Sequence, residues 1–447
     1  MKIIIAGAGA VGTHLAKLFS RENHDITLID EDASRLEHLG VNYDILTLCA
    51  SPRLISTLQE AEAARADLVI SVTPDEAHNI TICMLASKLG AKKTVARVDN
   101  YEYALPRNRE YFKSAGISSI VYPEMLAGEE IMQGLRRGWV RQWIEIQNGA
   151  LLLLCVKLAS NAQILHKPLR EVCPADAPFH ITAIKRRGET LIPHGDDVLE
   201  NRDAVYFMTT PEYVNTIRIL TGKEDFPEVR NVVFLGGGST TERALSKMPD
   251  TMHAKVFETD IRRIEHLDEV LNNKNVMYIN GDGTDLDLLI DEGLRNAQAF
   301  VATSRNSQTN ILACLTAKRN GVKKTVVMVD NTDFVQMAES LDIGSVLNKK
   351  QLAAGHIYQM LLKADVTTVK CLTIAAADVA ELVVKEGSRV ARRPVRELRL
   401  PQSVTLGGLV RDGRGYLING NTLLEPGDTV VAFCMEGSLK QIERLFK

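Results

Sequence analysis

The residues best suited to chemistry in this 447-residue chain are a glycine run and an acid placed after it. Gly7-Ala8-Gly9-Ala10-Val11-Gly12 follows the apolar stretch Lys2–Ala6 and opens a helical one. In such a run Gly7 makes the tight turn, Gly9 lets backbone approach a pyrophosphate, and Gly12 lets helix and strand pack closely. The N–H groups of Ala10 and Val11, at the positive end of the helix, favour an anion. Asp30 lies 23 residues after Gly7, at the end of the next apolar run, where a carboxylate can bond both hydroxyls of a ribose. Glu31 and Asp32 add negative charge there and disfavour a 2′-phosphate. The pattern therefore points to NAD(H), with ATP or ADP as the alternative, over NADP(H).

Thr73 closes a further apolar run, near where a nucleotide would cross the sheet. Pro74 has no N–H to donate, so its part is packing or a carbonyl contact. Arg97, near the end of the next strand, either meets a phosphate or forms a surface ion pair. A second run, Gly236-Gly237-Gly238-Ser239-Thr240-Thr241, is followed by Glu258, 22 residues after Gly236. Here Thr241 stands where the third glycine belongs, and Met328 where Arg97 would be. A β-branched side chain at 241 is expected to push helix from strand and alter the phosphate seat. Gly281-Asp282-Gly283-Thr284-Asp285 adds an acidic turn. For this second copy, nucleotide binding and a purely structural role are both open.

Catalytic groups are missing beside these loops. The chain has no P-loop G-x-x-x-x-G-K-[ST], no H-E-x-x-H and no G-x-S-x-G. The ten histidines are scattered in no catalytic or metal-ligating spacing, so no metal site is expected. His14 and His78 fall near the first glycine loop, where a helix surface accounts for them. A dehydrogenase would need a substrate domain bearing a catalytic acid or base. The expectation is a nucleotide-binding protein that is not an enzyme. An NAD-dependent oxidoreductase and an NAD(H) redox sensor with another partner are the alternatives, separated by turnover of bound NADH.

The elements that position these residues come twice. Gly-Ala-Lys-Lys-Thr-Val-Ala-Arg-Val-Asp-Asn at 90–100 recurs as Gly-Val-Lys-Lys-Thr-Val-Val-Met-Val-Asp-Asn at 321–331, an offset of 231. Asn79-Ile80 and Asn310-Ile311 share that offset, and Gly7 and Gly236 differ by 229. A tandem duplication explains this. In copy one, strands are expected at Lys2–Ala6, Asp25–Asp30, Leu68–Val72 and Lys93–Val98, with helices at Ala10–Arg21, Pro52–Ala64 and Asp75–Leu89. Copy two offers strands at Asn231–Leu235, Lys255–Glu258, Val276–Ile279, Ala299–Thr303 and Lys324–Val329. Such alternation makes an α/β fold with two Rossmann-like, doubly wound parallel-sheet domains, at 1–139 and 228–365. Each is followed by a small α+β domain of short strands, at 140–222 and 366–447. Both small domains carry a Leu-Glu-x-x-Asp turn, Leu199–Asp203 and Leu424–Asp428. The polar segment 221–227 is the linker between halves. Amphipathic helices are expected at Glu124–Val140 and Gln351–Leu362, to pack on their own domain or to pair with another.

Composition sets the outer bounds. Lys plus Arg is 53 against 56 Asp plus Glu, a net charge of −3, so no nucleic-acid partner is expected. Seven widely spaced cysteines with no C-x-x-C fit a reducing compartment. No apolar run approaches the roughly 18 residues of a membrane span, and the glycines break the start of the chain as a signal peptide, so a cytoplasmic location is expected.

With these residues in place the chain resembles the peripheral regulatory subunits of Trk potassium-uptake systems, the TrkA type, built of tandem RCK (or KTN) modules. The resemblance spans essentially the whole chain. It rests on Ile3–Gly12, Ile26–Asp30, Ser51-Pro52-Arg53, Ala96-Arg97 and Gly236–Gly238. It implies a non-enzymatic, peripheral role on the inner face of the cell membrane, with nucleotide gating a membrane-embedded potassium transporter subunit. It also implies a homo-oligomer, dimer or tetramer. By this resemblance Gly7 to Val11, Asp30, Thr73, Pro74 and Arg97 form one nucleotide site. Gly236 to Thr240, Glu258, Thr303 and Ser304 form the other. Two departures are Thr241 and Leu48-Cys49-Ala50, where the family often has a Gly-x-Gly turn.

Overall fold

The structure, a computed structural model, describes residues 1–20, 24–331, 333–341, 343–365, 377–435 and 438–446. The apolar runs of copy one become Lys2–Ala6 (β1), Asp25–Asp30 (β2), Leu46–Cys49 (β3), Leu68–Ser71 (β4), Thr94–Arg97 (β5) and Ser119–Val121 (β6). They form a parallel sheet in the order β3-β2-β1-β4-β5-β6. Ile3, Ile4 and Ile5 are wholly buried because helices cover both faces. The order reverses at β1, which pairs with β2 on one side and β4 on the other. That switch point leaves a crevice at the carboxyl ends, where the first glycine loop sits. The single helix expected over 52–64 is two pieces, Ile55–Glu60 and a 3-10 turn at Ala63–Arg65, because Glu62 takes a left-handed conformation between them.

The first small unit is an antiparallel sheet of Gln142–Ile146 (β7), Leu151–Lys157 (β8), Phe179–Arg186 (β9), Glu189–Leu191 (β10) and Ala204–Thr209 (β11). The second parallel sheet repeats the first with Asn231–Leu235 (β12), His253–Glu258 (β13), Val276–Asn280 (β14), Ala299–Ala302 (β15), Lys324–Met328 (β16) and Ser345–Leu347 (β17). Its order, β14-β13-β12-β15-β16-β17, matches that of copy one. Ala377–Val383 (β18), Val404–Arg411 (β19), Arg414–Leu417 (β20) and Thr429–Met435 (β21) make the last, antiparallel sheet. The start expected for this unit, 366–376, lies outside the described residues. The repeated Leu-Glu-x-x-Asp turns have one cause. Asp203 accepts from the Glu200 N–H and the Arg186 guanidinium, and Asp428 does the same with Glu425 and Arg411.

The two amphipathic helices settle between the halves. The first runs Pro123–Arg136 and buries Ile131, Met132 and Leu135 among Val232, Phe234, Ala244 and Leu245 of copy two. Its Gly128 lies so close to the second copy's Ser239–Leu245 helix that a Cβ would stand 2.7 Å from the Ala244 nitrogen. The second, Lys349–Asp365, sends Ala353, Ala354, Ile357 and Tyr358 into the core of copy one, where the Tyr358 ring lies 5.4 Å from Phe19. The exchange makes one chain a pair of interlocked halves.

The small sheets also face each other. Leu151, Leu153, Tyr206 and Met208 pack on Val379, Val410, Val431 and Phe433. His180 sits in this seam, a ring nitrogen 3.3 Å from Thr405 Oγ1. Burial pulls its pKa from 6.5 down to about 4. A base depressed in this way binds fewer protons folded than unfolded between those values. Stability therefore falls as pH drops from 6.5 to 4 and is unaffected above that window. The residue as a whole is half-buried, and with solvent screening the loss is about 1–2 kcal/mol. His180→Gln is expected to flatten that part of the denaturation profile; identical slopes in both proteins would place the acid sensitivity elsewhere.

Candidate nucleotide sites

Gly7 turns with φ of 106°, and a Cβ there would lie 3.1 Å from the Thr73 nitrogen. A Cβ on Gly12 would stand 1.8 Å from the Gly7 carbonyl oxygen, so the Ala10–Ser20 helix rests directly on the loop. Gly9 has nothing within 4 Å of its missing Cβ, and its face is open. The Ala8 N–H donates to Asp30 Oδ2 at 2.6 Å, and the Asp32 N–H donates to Oδ1 at 2.9 Å. Arg35 Nη1 lies 3.7 Å from the same carboxylate. Asp30 is thus buried and aimed by backbone, each oxygen keeping capacity for another donor. The charge expected from its neighbours is largely compensated. Glu31 pairs with Arg53 at 3.0 Å, and Asp32 pairs with Arg35 at 3.3 Å while capping the helix at Ala33.

Copy two repeats this arrangement with a glutamate and one further backbone donor. The Gly237 N–H donates to Glu258 Oε2 at 2.8 Å, the Thr259 and Asp260 N–H groups donate to Oε1, and Arg263 lies 3.6 Å away. Burial alone would raise the Glu258 pKa, but those three N–H groups and Arg263 outweigh it and hold the carboxyl below its usual range. Thr241 is fully buried, and its hydroxyl bonds the Gly236 carbonyl at 2.6 Å and Thr303 Oγ1 at 2.7 Å. Thr241 thus meets the loop through hydrogen bonds where Gly12 meets it by close backbone contact. The Thr303 hydroxyl also reaches the Leu235 and Gly236 carbonyls, so it serves the loop. A cleft of about 560 Å³ opens here. Gly236 to Thr240, Glu258, Thr303, Ser304 and the Gly281–Thr284 turn line it.

Beyond the glycine loops, each site is fastened by a buried asparagine that motif reading missed. Asn79 Oδ1 accepts from the Thr73 N–H and hydroxyl, both at 2.8 Å, while its Nδ2 donates to the Thr73 and Arg97 carbonyls. Asn310 does the same for Ser304 and Met328. Their shared 231 offset was the available sign. Arg97 forms an ion pair beside the loop, with Nη2 2.6 Å from Asp99 and Nη1 3.3 Å from the Thr73 carbonyl, and Pro74 is exposed beside it. Two lining residues of the second cleft, Glu124 and Lys349, begin the exchanged helices, and they meet at 3.3 Å. Glu124 comes from copy one, so no local motif in copy two could have revealed it. Among the described residues no group of three or more His, Cys, Asp or Glu side chains could hold a metal ion.

Against known families, a TrkA-N domain matches residues 3–123 and again 232–349, and a TrkA-C domain matches 153–221 and again 379–447. The chain belongs to the TrkA family. The Trk system potassium uptake protein TrkA of Halomonas elongata is 28% identical over 457 residues, spanning 100% of this chain and 99% of that protein. That of Haemophilus influenzae is 28% identical over 456 residues with the same spans. The TrkA homolog of Archaeoglobus fulgidus is 26% identical with full coverage of both. The TrkA-family fold also matches the GsuK RCK domain, with a TM-score of 0.60, 17% identity and coverage of 100% of this chain and 94% of that one. A GsuK channel bound to NAD gives 0.58, 16%, 100% and 78%. Among the described residues no helix is long and apolar enough to cross a membrane.

Proposed function

We propose that this TrkA-family chain is a nucleotide-binding regulatory subunit that gates a membrane potassium-uptake pore from the cytoplasmic face, without catalysis of its own. One observation carries the coupling. The second nucleotide cleft is completed by Glu124 and Lys349, which open the two helices exchanged between halves. Ligand in that cleft therefore acts on the packing of copy one against copy two. A ligand shifts a two-state assembly only by binding its states unequally, and a cleft built by both halves supplies that inequality.

NAD(H) is the favoured ligand, with ATP or ADP next. Gly7 to Gly12, Asp30, Thr73, Pro74 and Arg97 form the first site; Gly236 to Thr240, Glu258, Thr303 and Ser304 form the second. In both, backbone donors take the phosphates and the buried acid takes the ribose. The name of the relatives, Trk system potassium uptake protein, supports a transporter subunit as the membrane partner. Divisions near 139, 222 and 366 separate the four domains, and two or four copies assemble. Leu312, 64% exposed on the Ser307–Arg319 helix, is available for that assembly. The test is co-purification of this chain with a multi-span transporter from its own membranes, with nucleotide in the wash.

A further inference from the structure

The two clefts differ at their mouths in a way the glycine motifs do not reveal. In copy one, Arg53 follows β3 and reaches His78 at the start of the Glu76–Leu89 helix, Nη1 to Nε2 at 3.2 Å. It also holds Glu31 at 3.0 Å and the Ser51 hydroxyl at 3.2 Å. In the sheet, β2 and β1 lie between β3 and β4, which precedes the His78 helix. The guanidinium therefore spans the carboxyl ends of β2 and β1, over the crevice where the Gly7–Gly12 loop lies.

The register fixes the counterparts in copy two. Asp30 pairs with Cys49 and Glu258 with Asn280, so Glu31 corresponds to Thr259 and Arg53 to Thr284. His78 corresponds to Thr309 through the 231 offset. All three charged or basic groups of the bridge become threonines, and all three threonines line the open second cleft.

We propose that Arg53 is a phosphate-reading latch that makes the first cleft selective for nucleotides by their phosphates, whereas the second cleft, although Arg263, Arg305 and Lys349 line it, has no such bridge across its mouth. This rests on the nucleotide reading above. Arg53 and Glu31 are each about half exposed (46% and 55%), and ion pairs so exposed are weak and easily exchanged. A guanidinium matches a phosphate as a bidentate partner at least as well as it matches a carboxylate. Entering phosphate oxygens would take Arg53 from Glu31 and His78. The uncharged adenosine end brings nothing to exchange for them. The latch thus opens to a phosphate and stays shut to a nucleoside.

The test is calorimetric titration of the full chain with ADP, the moiety common to NAD(H), ADP and ATP, with adenosine as the phosphate-free control. Arg53→Thr, which installs the copy-two residue, is expected to weaken ADP at one of two sites by about tenfold or more and to leave adenosine unchanged. Glu31→Gln, which releases Arg53 from its carboxylate, is expected to tighten ADP at that site. The opposite sign excludes misfolding as the cause. Wild-type ADP binding that neither variant alters, or that Arg53→Thr strengthens, overturns the latch and leaves the nucleotide reading standing. Absence of ADP binding to the wild type overturns both.

Discussion

Gly12→Val is expected to destabilise the first nucleotide domain by about 3 kcal/mol. Its Cβ would stand 1.8 Å from the Gly7 carbonyl oxygen and 3.3 Å from the Ile5 side chain, and neither can withdraw. The carbonyl belongs to a turn that only glycine makes readily, and Ile5 is fully buried in the central strand. The helix must lift, breaking its contacts with the sheet. Copy two has a different solution, since Thr241 holds its helix to the loop with two hydrogen bonds. Thr241→Gly is therefore expected to destabilise as well, by about 1–2 kcal/mol, through a cavity and unpaired carbonyl capacity. Calorimetric unfolding checks both. Equal tolerance of valine at 12 and glycine at 241 would mean that the two loops do not pack as described.

Gly238→Asp has the largest expected effect on ligand, a loss of about 100-fold in nucleotide affinity at the second cleft with little change in stability. Nothing lies within 4 Å of a Cβ at Gly238, whose φ of −76° suits any residue. Aspartate is a favoured N-cap for the Ser239–Leu245 helix, so the fold tolerates the change. The added carboxylate occupies the anion seat. Gly9→Asp is the same experiment in copy one, where Gly9 likewise has open space. Two titrations on the full chain then assign each binding event to its cleft. Unaltered affinity in both variants would place the phosphates away from the glycine loops.

The parts legible in the sequence are those whose cause is local. Gly7, Gly12 and Asp30 announce themselves because turn, close approach and carboxylate sit at fixed spacing along one βαβ unit, and the structure has Asp30 under the Ala8 N–H as that spacing requires. The buried strands Lys2–Ala6 and Asn231–Leu235 were readable as unbroken apolar runs. Leu46–Cys49 was not, because Thr47 breaks its apolar run, whereas the equivalent edge strand of copy two keeps one over Val276–Ile279. The three-residue strands at 119–121 and 345–347 are too short to show a period. Glu124 in the second cleft depends on the exchanged helix, and the Arg53 bridge depends on sheet order. Neither is a property of any sequence window. The amphipathic pattern of 124–140 showed that a face would be buried, and only the fold shows that copy two buries it.

The most direct test of the central claim is affinity purification of the chain from its own membranes in mild detergent, with NADH or ATP in the wash and identification of what co-elutes. Recovery of a multi-span cation transporter, released or retained according to nucleotide in the wild type but not in Gly238→Asp, is the predicted result. Recovery of no membrane protein, with the chain wholly in the soluble fraction under every nucleotide, would contradict the account.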